Sequence, residues 1–161
     1  MRYISQAHGS ALSPKLIGTY ERELHSIIKE IADNPYERIV DVGSAEGYYA
    51  VGLTYIYRKK GHKNFKVYAY DINQKAQGAL KKLALLNNVA EHIEIRTLCD
   101  HKELNSFMGK NTIVICDIEG SEIQLLNPSK SDNLYNVDML VEVHDGEESY
   151  ITDQLVDRFR K

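Results

Sequence analysis

Carboxylates recur in this chain directly after short apolar runs. Asp41 closes one such run, Asp71 closes the next, and Asp100 follows a third. Asp117 and Glu119 follow a fourth, while Glu142, His144 and Asp145 lie on or just past a fifth. A single acid in such a place is ordinarily a helix cap or a solvated turn residue. Repetition after every run carries more, because the carboxyl ends of strands in an open α/β sheet line the ligand crevice. Acids gathered there accept hydrogen bonds from hydroxyls and amines, repel phosphates and attract cations.

The first acid opens a glycine loop, Val42-Gly43-Ser44-Ala45-Glu46-Gly47, after which Tyr48 and Tyr49 begin a helix-like segment. Loops that cradle phosphates work through backbone N–H groups, a helix N-terminus and often a cation. Here Asp41 and Glu46, with no lysine in the loop, oppose a pyrophosphate. The predicted ligand is an adenosine-containing cation, and S-adenosyl-L-methionine, with its sulfonium and ammonium, fits. Gly43 and Gly47 are expected to face the ligand, since a side chain would block its approach. Ser44, Tyr48 and Ile72 are placed with the cofactor site. Asp71 is expected to accept both ribose hydroxyls, because Asn73 is better placed to cap the helix that follows. Asp100, with Cys99, is placed to receive the adenine amino group. A nicotinamide dinucleotide needs G-x-G-x-x-G; the corresponding residues are Gly43, Ala45 and Tyr48, so the third glycine fails. A P-loop fails too, because no Gly-Lys-Ser/Thr follows.

These residues need strands to carry them. Strand-like runs are Arg38–Val42, Lys66–Tyr70, 92–97, Thr112–Cys116 and 139–143, with helical segments between them, clearest over 73–86. Gly61 and Asn87-Asn88 are suited to stop helices. Ser13-Pro14 and the recurrence of Ile17, Tyr20, Leu24, Ile27, Ile28 and Ile31 predict one amphipathic N-terminal helix over 14–33. Ser121 and Gln124 stand at capping-box spacing, and residues 127–133 read as a mobile loop. Strand–helix alternation argues for a single α/β domain over 1–161, with a cofactor-binding core over 37–145 and a parallel sheet joined by right-handed crossovers.

Composition narrows the partners. The net charge of −3 over 161 residues, with scattered basic groups, gives no electrostatic reason for a nucleic-acid partner. No apolar run approaches the ~18 residues of a membrane span, and no apolar stretch marks a secretory leader. Cys99 and Cys116 have no metal-type spacing and read as reduced thiols of a cytoplasmic protein.

The chain resembles class I S-adenosyl-L-methionine-dependent methyltransferases, and among them the FkbM-type family. That family's first motif often runs Asp-Val-Gly-Ala-Asn-x-Gly-Tyr-Tyr-Ser, to which residues 41–50 are similar. Asp117-Ile118-Glu119-Gly120-Ser121-Glu122 resembles its Asp-x-Glu-Gly-x-Glu motif, and Glu142-Val143-His144 its Glu-x-His. Ala45 and Glu46 depart from the usual Asn and apolar residue, and Asp71-Ile72-Asn73 from a common Glu-Pro-Asn. The resemblance implies a Rossmann-like sheet of order 3-2-1-4-5, preceded by the N-terminal helix and lacking the two final strands such sheets normally add. It implies that Asp41 and Gly43 lie by the methionine end of the cofactor, Gly47 beneath it, Asp71 at the ribose and Asp100 at the adenine. Residues 18–21 could lie across the cofactor as a lid, although burial of Tyr20 is the simpler expectation.

Methyl transfer to a hydroxyl calls for a nearby base, and Asp117, Glu119 and His144 are the candidates, with Asp117 also near the cofactor. The Asn/Asp-Pro-Pro-aromatic motif common in methylation of base or glutamine nitrogens is replaced by Asp-Ile-Glu-Gly. The resemblance implies O-methylation of a small-molecule or glycan-like acceptor as the expected activity. A cofactor-binding domain without catalysis and an NAD-dependent oxidoreductase are the rivals. Asp117, Glu119, Glu142, His144 and Asp145 also form an oxygen-rich set suited to Mg²⁺, Ca²⁺ or Mn²⁺. Alternation along a strand sends Val143 to the face opposite Glu142 and His144, and no metal site is expected.

Overall fold

The computed structural model describes residues 1–107, 111–145 and 150–160. Five strands, β1 (Arg38–Val42), β2 (Lys66–Tyr70), β3 (Ile93–Arg96), β4 (Thr112–Cys116) and β5 (Asp138–Val141), form one sheet in the order β3-β2-β1-β4-β5. All four pairings are parallel, as expected from the strand–helix alternation.

Alternation along the central strands divides the core between two faces. Ile39, Val67, Ala69, Ile113 and Ile115 are buried in one cluster. It includes Ala50, Val51, Leu53 and Tyr57 of α3 (Tyr48–Lys59) and Leu80, Leu83 and Ala84 of α4 (Gln74–Leu86). Val40, Val42, Tyr70, Val114 and Cys116 point the other way, into a cluster with Leu104 and Leu125. These two leucines belong to α5 (His101–Ser106) and α6 (Glu122–Leu125). Leu155, from the last helix (Ile151–Phe159), completes that layer. Asn73 caps α4 by accepting from the amides of Lys75 and Ala76, which leaves Asp71 free of that task. Gly61, at φ +84°, and Asn88, at φ +56°, follow their helices in the left-handed conformation expected of helix stops.

The N-terminal region departs from the single helix predicted over 14–33. It forms α1 (Leu12–Ile17), a 3₁₀ turn (Arg22–Leu24) and α2 (His25–Asp33). Gly18 at φ +72° caps α1, whose Pro14 carbonyl accepts from the amides of Thr19 and Tyr20 at 2.9 and 3.2 Å. Ala11, not Ser13, holds the N-cap position, and Pro14 sits within the first turn, where its missing N–H costs nothing. The apolar spacing misled because Ile17 is 74% exposed and Ile27 40% exposed, so the recurring residues do not share one face.

Two smaller expectations also change. Ser121 makes no side-chain cap; the buried Glu122 instead accepts from the amides of Ile118 and Gly120 at 3.2 and 3.1 Å. Part of the predicted loop over 127–133 joins a 3₁₀ turn (Asp132–Asn136), with Ser131 fully buried.

Candidate active site

Strand register assembles the site. Val42 pairs with Tyr70 and with Cys116, Tyr70 with Arg96, and Cys116 with Val141. The residues that follow (Gly43, Asp71, Asp117 and Glu142) therefore leave the sheet side by side. The ladder continues into them: Asp117 donates its amide to the Val42 carbonyl and Glu142 to that of Cys116, both at 2.9 Å. A cavity of about 1230 Å³ opens above this edge, more than the ~300–1,000 Å³ of a usual small-molecule pocket. Of the site residues expected from the sequence, all but Gly47 and His144 line it.

Gly43 and Gly47 have structural reasons that the sequence reading did not contain. A Cβ on Gly43, at φ +84°, would lie 1.6 Å from the Asp117 carbonyl oxygen. A Cβ on Gly47, at φ +90°, would lie 2.7 Å from Leu80 Cγ, within the core beneath the loop. Gly47 thus serves the packing of α3 on α4 and does not face the cavity.

Asp41 is 3% exposed and its Oδ2 has no hydrogen-bond partner among the described residues. Burial pushes its carboxyl up to about 7; the Ala50 amide opposes this, and the charges of Asp117 and Asp71 add to it. Ser44 Oγ, in the same loop, is likewise buried and unpartnered. Asp71 is held by two amides, Ala45 N to Oδ2 at 2.8 Å and Asn73 N to Oδ1 at 2.7 Å. Each oxygen keeps a lone pair for a further donor. Asp100 caps α5, its Oδ1 accepting from the Glu103 amide at 2.8 Å. Cys99 is buried, and burial pushes its thiol up to about 12. Ile72, at 76% exposure, forms part of the cavity rim beside Asp71.

Glu46 differs from the sequence expectation. It is fully buried and is absent from the cavity lining. Its carboxylate accepts from Tyr3 Oη at 2.7 Å, from His8 N at 2.8 Å and from Lys15 Nζ. Burial alone would raise its pKa, but these donors outweigh burial and hold it below the usual glutamate range. The acidity that the loop presents to a ligand thus comes from Asp41.

A second group lies at the ends of β4 and β5. His144 Nδ1 stands 3.0 Å from Glu122 Oε1. Its Nε2 stands 3.6 Å from Asp117 Oδ1, 3.7 Å from Glu119 Oε2 and 3.9 Å from Glu142 Oε1. Burial lowers the His144 pKa, yet the Glu122 hydrogen bond and the charges of Glu122, Asp117 and Glu119 raise it overall. Asp117 is pushed up to about 6, chiefly by burial and then by Glu142, with His144 opposing. β5 ends at Val141, and the segment beyond it carries Glu142 and His144 beside the acids that follow β4. Ligand atoms of Asp117, Glu119 and His144 lie within 4.8 Å of one another.

Tyr20 and Glu21 also line the cavity. Tyr20 packs edge-on against Tyr48, with centroids 4.9 Å apart, and Tyr49 Oη donates to Glu21. The break in the predicted helix, marked in the sequence by Gly18, brings them there. Glu122, the buried anchor of His144, was missed because only the fold brings residues 122 and 144 together.

No protein-family model matches the sequence, and no curated protein matches it. Solved structures do. The chain is similar to the O-methyltransferase TomG of Streptomyces achromogenes, involved in tomaymycin synthesis and solved with S-adenosylmethionine. That likeness has a TM-score of 0.59 at 14% identity over 97% of this chain and 69% of the other. It is similar to the Podospora anserina methyltransferase PaMTH1, solved with S-adenosylhomocysteine, with a TM-score of 0.61 at 15% identity over 86% and 64%. It is also similar to a Clostridium thermocellum protein assigned as an rRNA methylase, with a TM-score of 0.59 at 16% identity over 85% and 78%. At these identities the fold is what is shared. The fold is the Rossmann-like one of these methyltransferases, with the 3-2-1-4-5 order expected from the resemblance.

Proposed function

We propose that the protein is an S-adenosyl-L-methionine-dependent methyltransferase acting on a small-molecule or glycan-like acceptor. The observation that carries this is Asp41, buried with one carboxylate oxygen unpartnered among the described residues, in the lining of a large cavity that Asp71 also lines. The residues fit the cofactor. Asp71 has free lone pairs for ribose hydroxyls, Asp100 lies on the adenine side, and Asp41 offers an acceptor to an ammonium. When bound, the cofactor supplies an activated methyl group on its sulfonium. The chain supplies alignment and exclusion of water.

Asp117 is the base we assign for an oxygen acceptor. Its Oδ1 is buried with no hydrogen-bond partner among the described residues, and its pKa, pushed up to about 6, leaves it ionised near neutrality yet basic enough to take a proton. His144, whose pKa Glu122, Asp117 and Glu119 raise, stands among Asp117, Glu119, Glu122 and Glu142 and orients them. Glu119 is the more exposed alternative, with its side chain 80% exposed. Glu21 faces the same region: burial raises its pKa, and the charges of Glu142 and Asp117 add to that. These acids disfavour phosphate-bearing acceptors, which supports a neutral or cationic small molecule over a nucleic acid. The FkbM-type assignment rests on residues 41–50, 117–122 and 142–144. No helix is long and apolar enough to cross a membrane among the described residues, and the cysteines are free, which is compatible with the cytoplasmic location we propose.

The test is transfer of a labelled methyl group from S-adenosylmethionine to panels of neutral saccharides, phenols, amines and their phosphorylated counterparts. Incorporation confined to unphosphorylated hydroxyl compounds, and lost in Asp117→Asn, supports the reading. Preference for phosphorylated compounds or RNA overturns the acceptor class.

A further inference from the structure

The N-terminal segment delivers a cation to the cofactor loop. Lys15 is 7% exposed and lines the cavity. Its ammonium donates to Glu46 Oε1 and lies 4.7 Å from the centroid of the Tyr20 ring and 5.6 Å from that of Tyr48. An ammonium carries three donors. Among the described residues Glu46 is the hydrogen-bond acceptor it has; the tyrosine faces attract its charge but supply no conventional acceptor. A buried cation with unused donors is costly unless a ligand completes its shell. Ser44 Oγ, buried and unpartnered, offers another donor from the same loop.

The geometry points to Lys15 as the carboxylate-binding residue of this site. We propose that it receives the α-carboxylate at the amino-acid end of the cofactor while Asp41 receives the α-ammonium, an inference that rests on the cofactor reading above. Asp71 and Asp100, at the ends of β2 and β3, occupy the adenosine side. Asp41, Ser44 and Lys15 all line the cavity, and Lys15 is held to the loop after β1 by Glu46. An α-amino acid is a zwitterion; Asp41 offers an acceptor for its ammonium, and the spare donors of Lys15, held by Glu46, suit its carboxylate. Glu46 is the positioning residue. Fixed by Tyr3 and His8, it aims the ammonium and neutralises its charge in the absence of ligand.

The test is calorimetric titration with S-adenosylhomocysteine and with 5′-methylthioadenosine, which keeps the adenosine and thioether but lacks the amino-acid end. Lys15→Met is expected to weaken S-adenosylhomocysteine about tenfold to a hundredfold, as for loss of a charged hydrogen bond, and to leave methylthioadenosine within about twofold. Because Lys15→Met strands a buried Glu46, the Lys15→Met/Glu46→Gln double variant is measured alongside, and the same selective loss is expected. Equal weakening of both ligands would make Lys15 a packing residue and overturn the proposal, as would unchanged S-adenosylhomocysteine affinity. A wild-type protein that binds methylthioadenosine as tightly as S-adenosylhomocysteine also overturns it while leaving the adenosine site standing. Binding of neither ligand removes the cofactor reading and this proposal together.

Discussion

Asp41→Asn is expected to stabilise the protein while impairing cofactor binding, with a pH dependence that identifies the cause. The Asp41 carboxyl rises from 3.8 to about 7 in the folded chain because it is buried with one oxygen unpartnered. The folded state therefore holds a proton that the unfolded state releases near pH 4, so wild-type stability falls as pH rises through the interval up to about 7. Each tenfold change in proton affinity corresponds to about 1.4 kcal/mol. Allowing for local relaxation, the ionised carboxylate costs the fold roughly 2–4 kcal/mol at pH 8. Asparagine has the same shape and no charge. Urea denaturation from pH 4 to 8 is the assay: the Asn variant should match wild type at pH 4 and exceed it progressively, by roughly 2–4 kcal/mol, at pH 8. Its affinity for S-adenosylhomocysteine should fall at pH 8, where wild-type Asp41 is ionised and meets the ligand ammonium. A difference in stability that does not vary with pH, or a variant less stable than wild type at pH 8, would refute the reasoning.

Two further outcomes follow from the same edge of the sheet. Asp71→Ala removes an acceptor for two ribose hydroxyls and is expected to weaken S-adenosylhomocysteine by about 3 kcal/mol or more, over a hundredfold. Unchanged affinity by calorimetry removes the ribose role. Gly43→Ala places a Cβ 1.6 Å from the Asp117 carbonyl oxygen at φ +84°, and thermal melting should show a loss of about 3 kcal/mol or failure to fold; a wild-type melting temperature contradicts the close approach of the two strand ends.

The sheet was legible because buried parallel strands are continuous apolar runs and each ends in an acid, as at Asp41, Asp71 and Asp117. Their adjacency needed only the register rule that neighbouring strands end together. The N-terminal region was not legible. Ile17 and Ile27 keep helical spacing yet stay exposed, and a lone glycine such as Gly18 within that spacing does not by itself end a helix. Glu46 illustrates a deeper limit: nothing local shows that a loop acid will turn inward to a lysine 31 positions away. The same holds for Glu122, whose role depends on His144 arriving from beyond β5. Gly43 and Gly47 stand out in the sequence as loop glycines, but their need is set by Asp117 and Leu80, residues distant in sequence.

The proposed function has this cavity seat S-adenosylmethionine and not a dinucleotide. Titration of the protein with S-adenosylhomocysteine and, separately, with NAD tests it most directly. Saturable one-to-one binding of S-adenosylhomocysteine and no heat from NAD are expected. Tight NAD binding without a response to S-adenosylhomocysteine would contradict it.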